Sequence, residues 1–238
     1  MQILLTGGNG LLGQTYWYLF HKNAKIAVTG RGTPKHAYRS YTALDVCNIK
    51  DIDNTFRAQK PDIVLHCAAM TNVDDCEKES TLCYQNNTIA TQNILTTCQK
   101  YKVFLIFLST DFVFDGAKKD LYIEDDAPNP LNIYGKSKQK AEALIRKSSY
   151  DAWAIVRTSL VYGTVFKQEA SFLSWVKARL ITGKCVNLVN DQWRCPTHVS
   201  DLAQACHTIA KTRNKGIFHV VGNNLCTPYA WVLPWLRF

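Results

Sequence analysis

The sequence has no C-x-x-C pair, and its nine cysteines (47, 67, 76, 83, 98, 185, 195, 206 and 226) are scattered and odd in number. That spacing excludes a disulfide framework and a cysteine zinc site, and it predicts reduced thiols in a cytoplasmic protein. No apolar run approaches the ~20 residues needed to cross a bilayer. No basic leader precedes the opening "MQILLTGG", so no signal peptide is expected. Repeats, low-complexity tracts and linker-like stretches are also missing. Acidic residues are few: 19 Asp and Glu stand against 28 Lys and Arg, for a net charge of +9. The basic residues are dispersed and not interleaved with aromatics, which argues against nucleic acid as a partner and fits a small anionic ligand such as a nucleotide.

What remains is an ordinary globular composition, 47% hydrophobic and 20% charged over 238 residues. Apolar strand-like runs alternate with helical ones. "QILLT" (2–6) precedes a helical pattern over 11–21. "KIAVT" (25–29) and "YTALD" (41–45) follow, then the helical "NIKDIDNTFRAQ". "DIVLHCAA" (62–69) precedes a long helix over about 80–100. "VFLIFLS" (103–109) precedes a loop and a helix containing Tyr134, and "AWAIVRT" (152–158) comes next. Such runs suit parallel strands buried on both faces, and their alternation with helices predicts a doubly wound, Rossmann-like α/β sheet over residues 1–165. Beyond that the rhythm breaks. A helix near 170–182, a short strand at 186–188, a helix from about 199 and a strand at 216–222 are expected to form a small substrate lobe over 166–238.

The first strand runs straight into "TGGNGLLG" (6–13). Gly8, Gly10 and Gly13 fit G-x-G-x-x-G, and Gly7, Gly10 and Gly13 are three apart. A strand-to-helix turn of this kind lets a pyrophosphate approach the backbone and meet the helix N-terminus; a tight structural turn would use the same residues. The second strand ends "TGRG". Arg31 stands where an NAD site usually carries an acid, with Lys35 and Arg39 beyond, so NADPH is the expected cofactor, with NADH as the alternative. Solvated loop charges would look the same. Asp45 suits either an adenine edge or a turn cap.

"NPLNIYGKSKQKAE" (129–142) places Tyr134 and Lys138 one helical turn apart on one face. "FLSTDFVFDG" ends the fifth strand on the side where parallel sheets bind ligands, bringing Ser109 and Thr110 toward that pair. A hydroxyl after this strand, Tyr-x-x-x-Lys and the glycine turn together are the layout of short-chain dehydrogenases. The chain resembles the dTDP-4-dehydrorhamnose reductase family of that superfamily from residue 2 to about 223. The resemblance rests also on "HCAAMTNVDDCE", "NNTIATQNI", "VRTSLVYG", "DQWRCPTHVSDLA" and "GIFHVVG".

The resemblance implies an NADPH-dependent reductase of a nucleotide-linked 4-keto-6-deoxy sugar, as in dTDP-rhamnose biosynthesis. Its catalytic set would be Thr110, Tyr134 and Lys138. Tyr134 would give a proton to the ketone oxygen, Lys138 would lower the pKa of the phenol and hold the nicotinamide ribose, and Thr110 would polarise the carbonyl. It further implies cofactor contacts from Gly7, Gly10, Leu11, Leu12, Gly13, Arg31, Asp45, Val46, Ala68 and Ala69, besides Tyr134 and Lys138. Substrate contacts would come from Thr71, Ser109, Thr110, Asp111 and Tyr134. Related dehydratases read Thr-Asp-Glu after this strand; Phe112 replaces the glutamate here, which argues against dehydration.

The chain departs from the family at three places. Leu160 stands where reductases commonly carry tryptophan. Thr15 stands where some members hold a metal through glutamate, so no metal is expected. The end, "VLPWLRF", is shorter than the family's usual C-terminus and apolar, which raises the expectation of a chain that binds NADPH but alone reduces keto-sugars poorly or not at all, its apolar end either covering the substrate cleft or docking on a partner, with a homodimer as an alternative. The alternative function is a non-catalytic NADP-binding regulatory subunit, like that of methionine adenosyltransferase, which resembles the same family. His66 reads as core. Asp74, Asp75 and Glu77 read as helix-capping residues. Asn87 reads equally as structural or catalytic, and Asp191, Gln192, Pro196 and Thr197 fall in a loop near the substrate.

Overall fold

A computed structural model describes residues 1–164 and 172–236. The expected helix at 170–182 therefore begins outside the described residues. Seven parallel strands form one sheet in the order β3-β2-β1-β4-β5-β6-β9. They are β1 (Gln2–Thr6), β2 (Lys25–Gly30), β3 (Tyr41–Ala43), β4 (Ile63–His66), β5 (Phe104–Thr110), β6 (Trp153–Thr158) and β9 (Gly216–His219). The order reverses between β1 and β4, leaving a crevice beyond their carboxyl ends, where doubly wound sheets bind ligands.

Alternate strand residues feed two cores. Ile3, Leu5, Val28, Leu65, Ile106 and Val156 face α1 (Leu11–Phe20) and α8 (Val199–Thr212). Leu4, Ala27, Val64, Leu105, Phe107 and Ile155 face α2 (Ile49–Gln59), α5 (Ala90–Tyr101) and α6 (Ile133–Lys147). Burial on both faces is why the strands read as unbroken apolar runs. Asparagine side chains fix three helix starts: Asn48 accepts from the Lys50 amide, Asn72 from the Asp75 amide and Asn132 from the Gly135 amide.

Three local differences from expectation stand out. The helix expected over 80–100 runs continuously but carries a π-helical turn. After α3 (Val73–Lys78), α4 (Ser80–Tyr84) leads into a π-helical turn at Gln85–Ile89, and only then does α5 begin. No strand forms at 186–188. Those residues instead line a cavity of about 270 Å³ with α7 (Phe172–Ile181) and α9 (Pro228–Val232). The late helix and strand are part of the main layers: β9 pairs along β6, and α8 packs on α1, where the Tyr16 hydroxyl meets His207 Nδ1 at 3.0 Å. The pieces outside the main sheet are α7, α9 and a parallel two-stranded pair, β7 (Val161–Tyr162) with β8 (Thr197–His198). At the C-terminal end Trp231 packs edge-on against Tyr162 at 4.9 Å between ring centroids. Among the described residues no helix is long and apolar enough to cross a membrane.

Candidate active site

The glycine turn closes against the neighbouring strands. Gly7 adopts φ +69°, and a Cβ there would lie 2.7 Å from the Ala68 nitrogen. A Cβ at Gly13 would lie 2.5 Å from the Gly7 oxygen and 2.8 Å from the Gly8 Cα. Backbone approach requires glycine at both positions, and the left-handed φ requires it a second time at Gly7. Gly8 serves packing, since its Cβ would collide with Val28. Gly10 is the N-cap of α1 and no side chain caps that end. Its Cβ would meet only the Gly7 oxygen, at 3.2 Å. The first turn, Leu11 to Gly13, thus opens α1 toward the crevice with its amides uncapped by any side chain, a cradle fitted to a phosphate group.

The basic loop after β2 is fastened to this turn. Asn9 donates to the Thr33 carbonyl at 3.0 Å and accepts from the Lys35 amide at 3.0 Å. Tyr38 donates to the Gly8 carbonyl at 2.8 Å. Arg31 is exposed at the end of β2, beside the segment carrying Asp45 and Cys47; its charge pulls the Cys47 thiol down against a larger upward push from burial. Asp45 takes the Cys47 amide on its own carboxylate, so it is a turn residue here, and Val46 is buried in the α2 core. Ala68 hydrogen-bonds through its amide to Thr6, Ala69 continues the same half-buried segment beyond β4, and Thr71 further along it is exposed.

Tyr134 and Lys138 lie in the first two turns of α6. Gly135 between them makes that placement possible: a Cβ there would lie 2.1 Å from the Phe112 oxygen, so only glycine lets the helix start so close to the end of β5. Tyr134 is 9% exposed, its ring edge-on to Phe112 at 5.9 Å, and Thr110 at the end of β5 is near enough to act on the phenol. Lys138 is 2% exposed with its ammonium 4.0 Å from the centroid of the Phe107 ring. The phenol differs from the sequence expectation. Its pKa is raised, chiefly by burial, with Thr110 pulling it down and Asp111 pushing it up. Burial also lowers the Lys138 ammonium to about 8, against an upward pull from Glu142. In this site desolvation outweighs charge pairing, and Tyr134 is held as a neutral acid at physiological pH.

His66, read as core, is buried in a chain of hydroxyls. Burial first, and the Lys138 charge second, lower it to about 3. The Ala68 amide and the His66 ring share the Thr6 hydroxyl, with Nδ1 at 2.7 Å. Thr91 gives its own proton to the Asn87 carbonyl at 2.6 Å, so it accepts from His66 Nε2 at 3.3 Å, and Thr6 donates to Nδ1. His66 is thus neutral with its proton on Nε2. Asn87, in the π-helical turn, accepts from the Met70 amide at 2.8 Å and donates to the Met70 carbonyl and the Ser137 hydroxyl. It ties the loop after β4 to α6, so its position is structural.

Two residues expected at the substrate are engaged elsewhere. Ser109 is 3% exposed and donates to Glu142 Oε1 at 2.5 Å. Side chains alternate along a strand, so Ser109 and Thr110 point to opposite faces, and Ser109 falls on the α6 side. There Glu142 is also clasped by Arg157, with Nη2 at 2.6 Å from Oε2 and Nε at 3.0 Å from Oε1. Asp111 is held by Arg194: Nε lies 2.6 Å from Oδ2 and Nη2 2.9 Å from Oδ1. The Ser159 hydroxyl donates to the same Oδ2. Arg194 also covers the Phe112 ring at 4.3 Å. It belongs to "DQWRCPT", beside Asp191, Gln192, Pro196 and Thr197, and no local spacing marks the arginine as the partner of Asp111. Thr197 secures the turn after β6 by donating to the Ser159 carbonyl. Leu160, in that turn, sits at φ +40°.

Comparison with known proteins agrees with this geometry. The model of the RmlD substrate binding domain family matches residues 1–233. The chain is 32% identical over 233 residues to methionine adenosyltransferase 2 subunit beta of Xenopus laevis, covering 95% of this chain and 68% of that protein. Its structure is similar to that of a dTDP-4-dehydrorhamnose reductase from Clostridium acetobutylicum, with a TM-score of 0.85, 30% identity and coverage of 100% of this chain and 80% of the other. It is equally similar to the dTDP-4-dehydrorhamnose reductase of Bacillus anthracis in complex with NADP, with a TM-score of 0.85, 31% identity and coverage of 98% and 79%.

Proposed function

This chain belongs to the RmlD substrate binding domain family, and from that premise we propose that it is an NADPH-dependent reductase of a nucleotide-linked 4-keto-6-deoxy sugar, of the kind that makes dTDP-rhamnose. The observation that carries the reading is Tyr134 beside Thr110 at the carboxyl end of β5, with Lys138 one turn along α6 and the glycine turn across the crevice. Family and neighbours support an NAD(P)-linked oxidoreductase; the sugar and the residue roles are our inference.

The glycine turn fits a dinucleotide, because its backbone lies bare at the mouth of the crevice and side chains are excluded at Gly7 and Gly13. Gly7, Gly10, Leu11, Leu12 and Gly13 would hold the pyrophosphate, Arg31 the ribose phosphate, and Ala68 and Ala69 the middle of the cofactor. When bound, the nicotinamide supplies the hydride. Tyr134 gives its phenolic proton to the ketone oxygen as negative charge develops there. Lys138, still mostly an ammonium below pH 8, stabilises the phenolate left behind. Thr110 orients the phenol, and Thr71 lies within the same segment as the cofactor loop to meet the substrate. Ser109 and Asp111 act in the wall of the site.

A second reading is favoured by one observation: the curated protein at 32% identity over 95% of this chain is a methionine adenosyltransferase subunit. On that reading the chain binds NADP as a regulatory subunit and turns nothing over. Two measurements on one sample separate them. NADPH binding, followed by fluorescence, is expected on both. NADPH oxidation with a panel of nucleotide 4-keto sugars is expected only of the reductase, and binding with no oxidation across the panel would favour the regulatory subunit.

A further inference from the structure

The side chain of Asn9 is the peg around which the basic loop after β2 is wrapped. Its Oδ1 accepts from the Lys35 amide at 3.0 Å. Its Nδ2 donates to the Thr33 carbonyl at 3.0 Å and to the Tyr41 hydroxyl at 3.3 Å, and that hydroxyl donates to the Gly32 carbonyl at 3.0 Å. An N–H on one side and a carbonyl on the other leave the amide only one orientation. Gly30 makes room for it: a Cβ there would lie 3.6 Å from Asn9 Nδ2 and 3.1 Å from the Tyr41 oxygen. The Asn9 amide therefore lies across the end of β2, and the loop that leaves after Arg31 is brought back to the same place at Lys35. The main chain of Asn9 belongs to the glycine turn. Its carbonyl accepts from Gln14 Nε2 at 2.7 Å, and Gln14 Oε1 takes the His36 ring at 2.7 Å. One residue thus joins the phosphate cradle to the basic loop.

Peptide carbonyls repel an anion, and a loop that is to meet a phosphate has to turn them away. Here the carbonyls of Gly32 and Thr33 are taken up by Tyr41 and Asn9. Arg31 and Lys35 are exposed, and among the described residues neither is joined to a carboxylate in an ion pair. In a doubly wound sheet the adenosine ribose lies at the end of the second strand, where a cation accommodates a 2′-phosphate. We propose that Asn9 is a positioning residue for cofactor choice: by holding the Lys35 amide it sets Lys35 at the end of β2 as a second cation, with Arg31, for the 2′-phosphate of NADPH. The inference rests on reading Arg31 as the residue of the ribose phosphate. Asn9 acts through Lys35 and need not touch the phosphate itself. Without the peg the loop has more conformations to lose, and binding has to supply the cost of ordering Lys35.

The test is a double-mutant cycle on binding, which needs no turnover. The parent chain, Asn9→Ala, Lys35→Met and the double variant are titrated with NADPH and NADH by fluorescence, and with 2′,5′-ADP and 5′-AMP by calorimetry. Each single change should weaken NADPH and 2′,5′-ADP by about 10-fold, the scale of a charge-assisted hydrogen bond, and leave NADH and AMP within about twofold. The double variant should bind NADPH as the single variants do, because Asn9 has nothing left to position once Lys35 has lost its charge. Asn9→Ser, too short to reach the Lys35 amide, should behave as Asn9→Ala and replaces it if alanine impairs folding. Equal losses of NADPH and NADH in a folded Asn9 variant would make Asn9 a brace of the pyrophosphate turn. Losses that multiply in the double variant would make Asn9 and Lys35 independent. Either result overturns the proposal. Failure of the cofactor reading would appear separately, in the parent chain, as NADPH bound no more tightly than NADH, and the proposal would fall with it.

Discussion

The ammonium of Lys138 lies 4.0 Å from the centre of the Phe107 ring, enclosed between β5 and α6 with 2% of its surface exposed. A cation so placed is stabilised by the ring face, yet it has lost its water, and its pKa falls to about 8 from 10.5. The folded state therefore binds fewer protons than the unfolded state between about pH 8 and pH 10.5. Stability should rise with pH across that window, be present in full above the unfolded value, and be lost as pH falls through 8. Lys138→Met should accordingly be more stable than the parent at pH 7, by a few kcal/mol in order of magnitude. The gap should close as pH approaches 10.5. Urea midpoints at pH 7 and pH 9.5 check this, and a methionine variant less stable at pH 7 would contradict it.

The Ser109–Glu142–Arg157 cluster predicts a stability effect where the sequence suggested a substrate contact. Glu142→Ala leaves the Arg157 charge buried without its partner and should cost about 3–5 kcal/mol. Ser109→Ala removes one hydrogen bond to a carboxylate and should cost about 1.5–3 kcal/mol. The Michaelis constant for substrate should stay within about twofold of the parent in Ser109→Ala, since its hydroxyl faces α6. Denaturant unfolding and steady-state kinetics on the same variant decide between a wall residue and a ligand.

Arg31 is exposed at the end of β2, on a loop that Asn9 fastens to the glycine turn. If it faces the 2′-phosphate, Arg31→Asp replaces attraction with repulsion. NADPH affinity should fall by at least ~10-fold, the scale of a lost charge-assisted bond, while NADH affinity changes little. Fluorescence titration with both cofactors is the check, and equal losses would reduce Arg31 to a loop charge.

The legible and illegible parts of the chain divide by range. The parallel strands could be read because Ile3, Leu4 and Leu5 are all buried, one face on each core, and leave an unbroken apolar run. Tyr134 and Lys138 could be read because four residues on a helix is a local spacing. The π-helical turn at Gln85–Ile89 could not, since one extra residue in a turn leaves no mark on composition or period. The lock on Asp111 was equally hidden: Arg194 lies 83 residues away, and only the tertiary fold brings the two together. The α8 and β9 segments read as a lobe in the sequence because their helix and strand follow an interruption, whereas β9 extends the sheet edge beside β6. Val186 and Leu188 alternate with the polar Asn187 as a strand would, yet they find no partner strand and turn to α7 and α9 instead.

The central claim is that this crevice passes a hydride to a sugar ketone while Tyr134 supplies the proton. The most direct measurement is deuterium transfer from NADPH labelled on the nicotinamide to dTDP-4-dehydrorhamnose, read by mass spectrometry and NMR of the sugar. The account predicts one deuterium at C4 for each NADPH oxidised, and in Tyr134→Phe a rate lower by roughly 10²–10⁴ with NADPH still bound. Transfer at the parent rate by Tyr134→Phe, or no deuterium in the sugar with the parent chain saturated with NADPH, would contradict it.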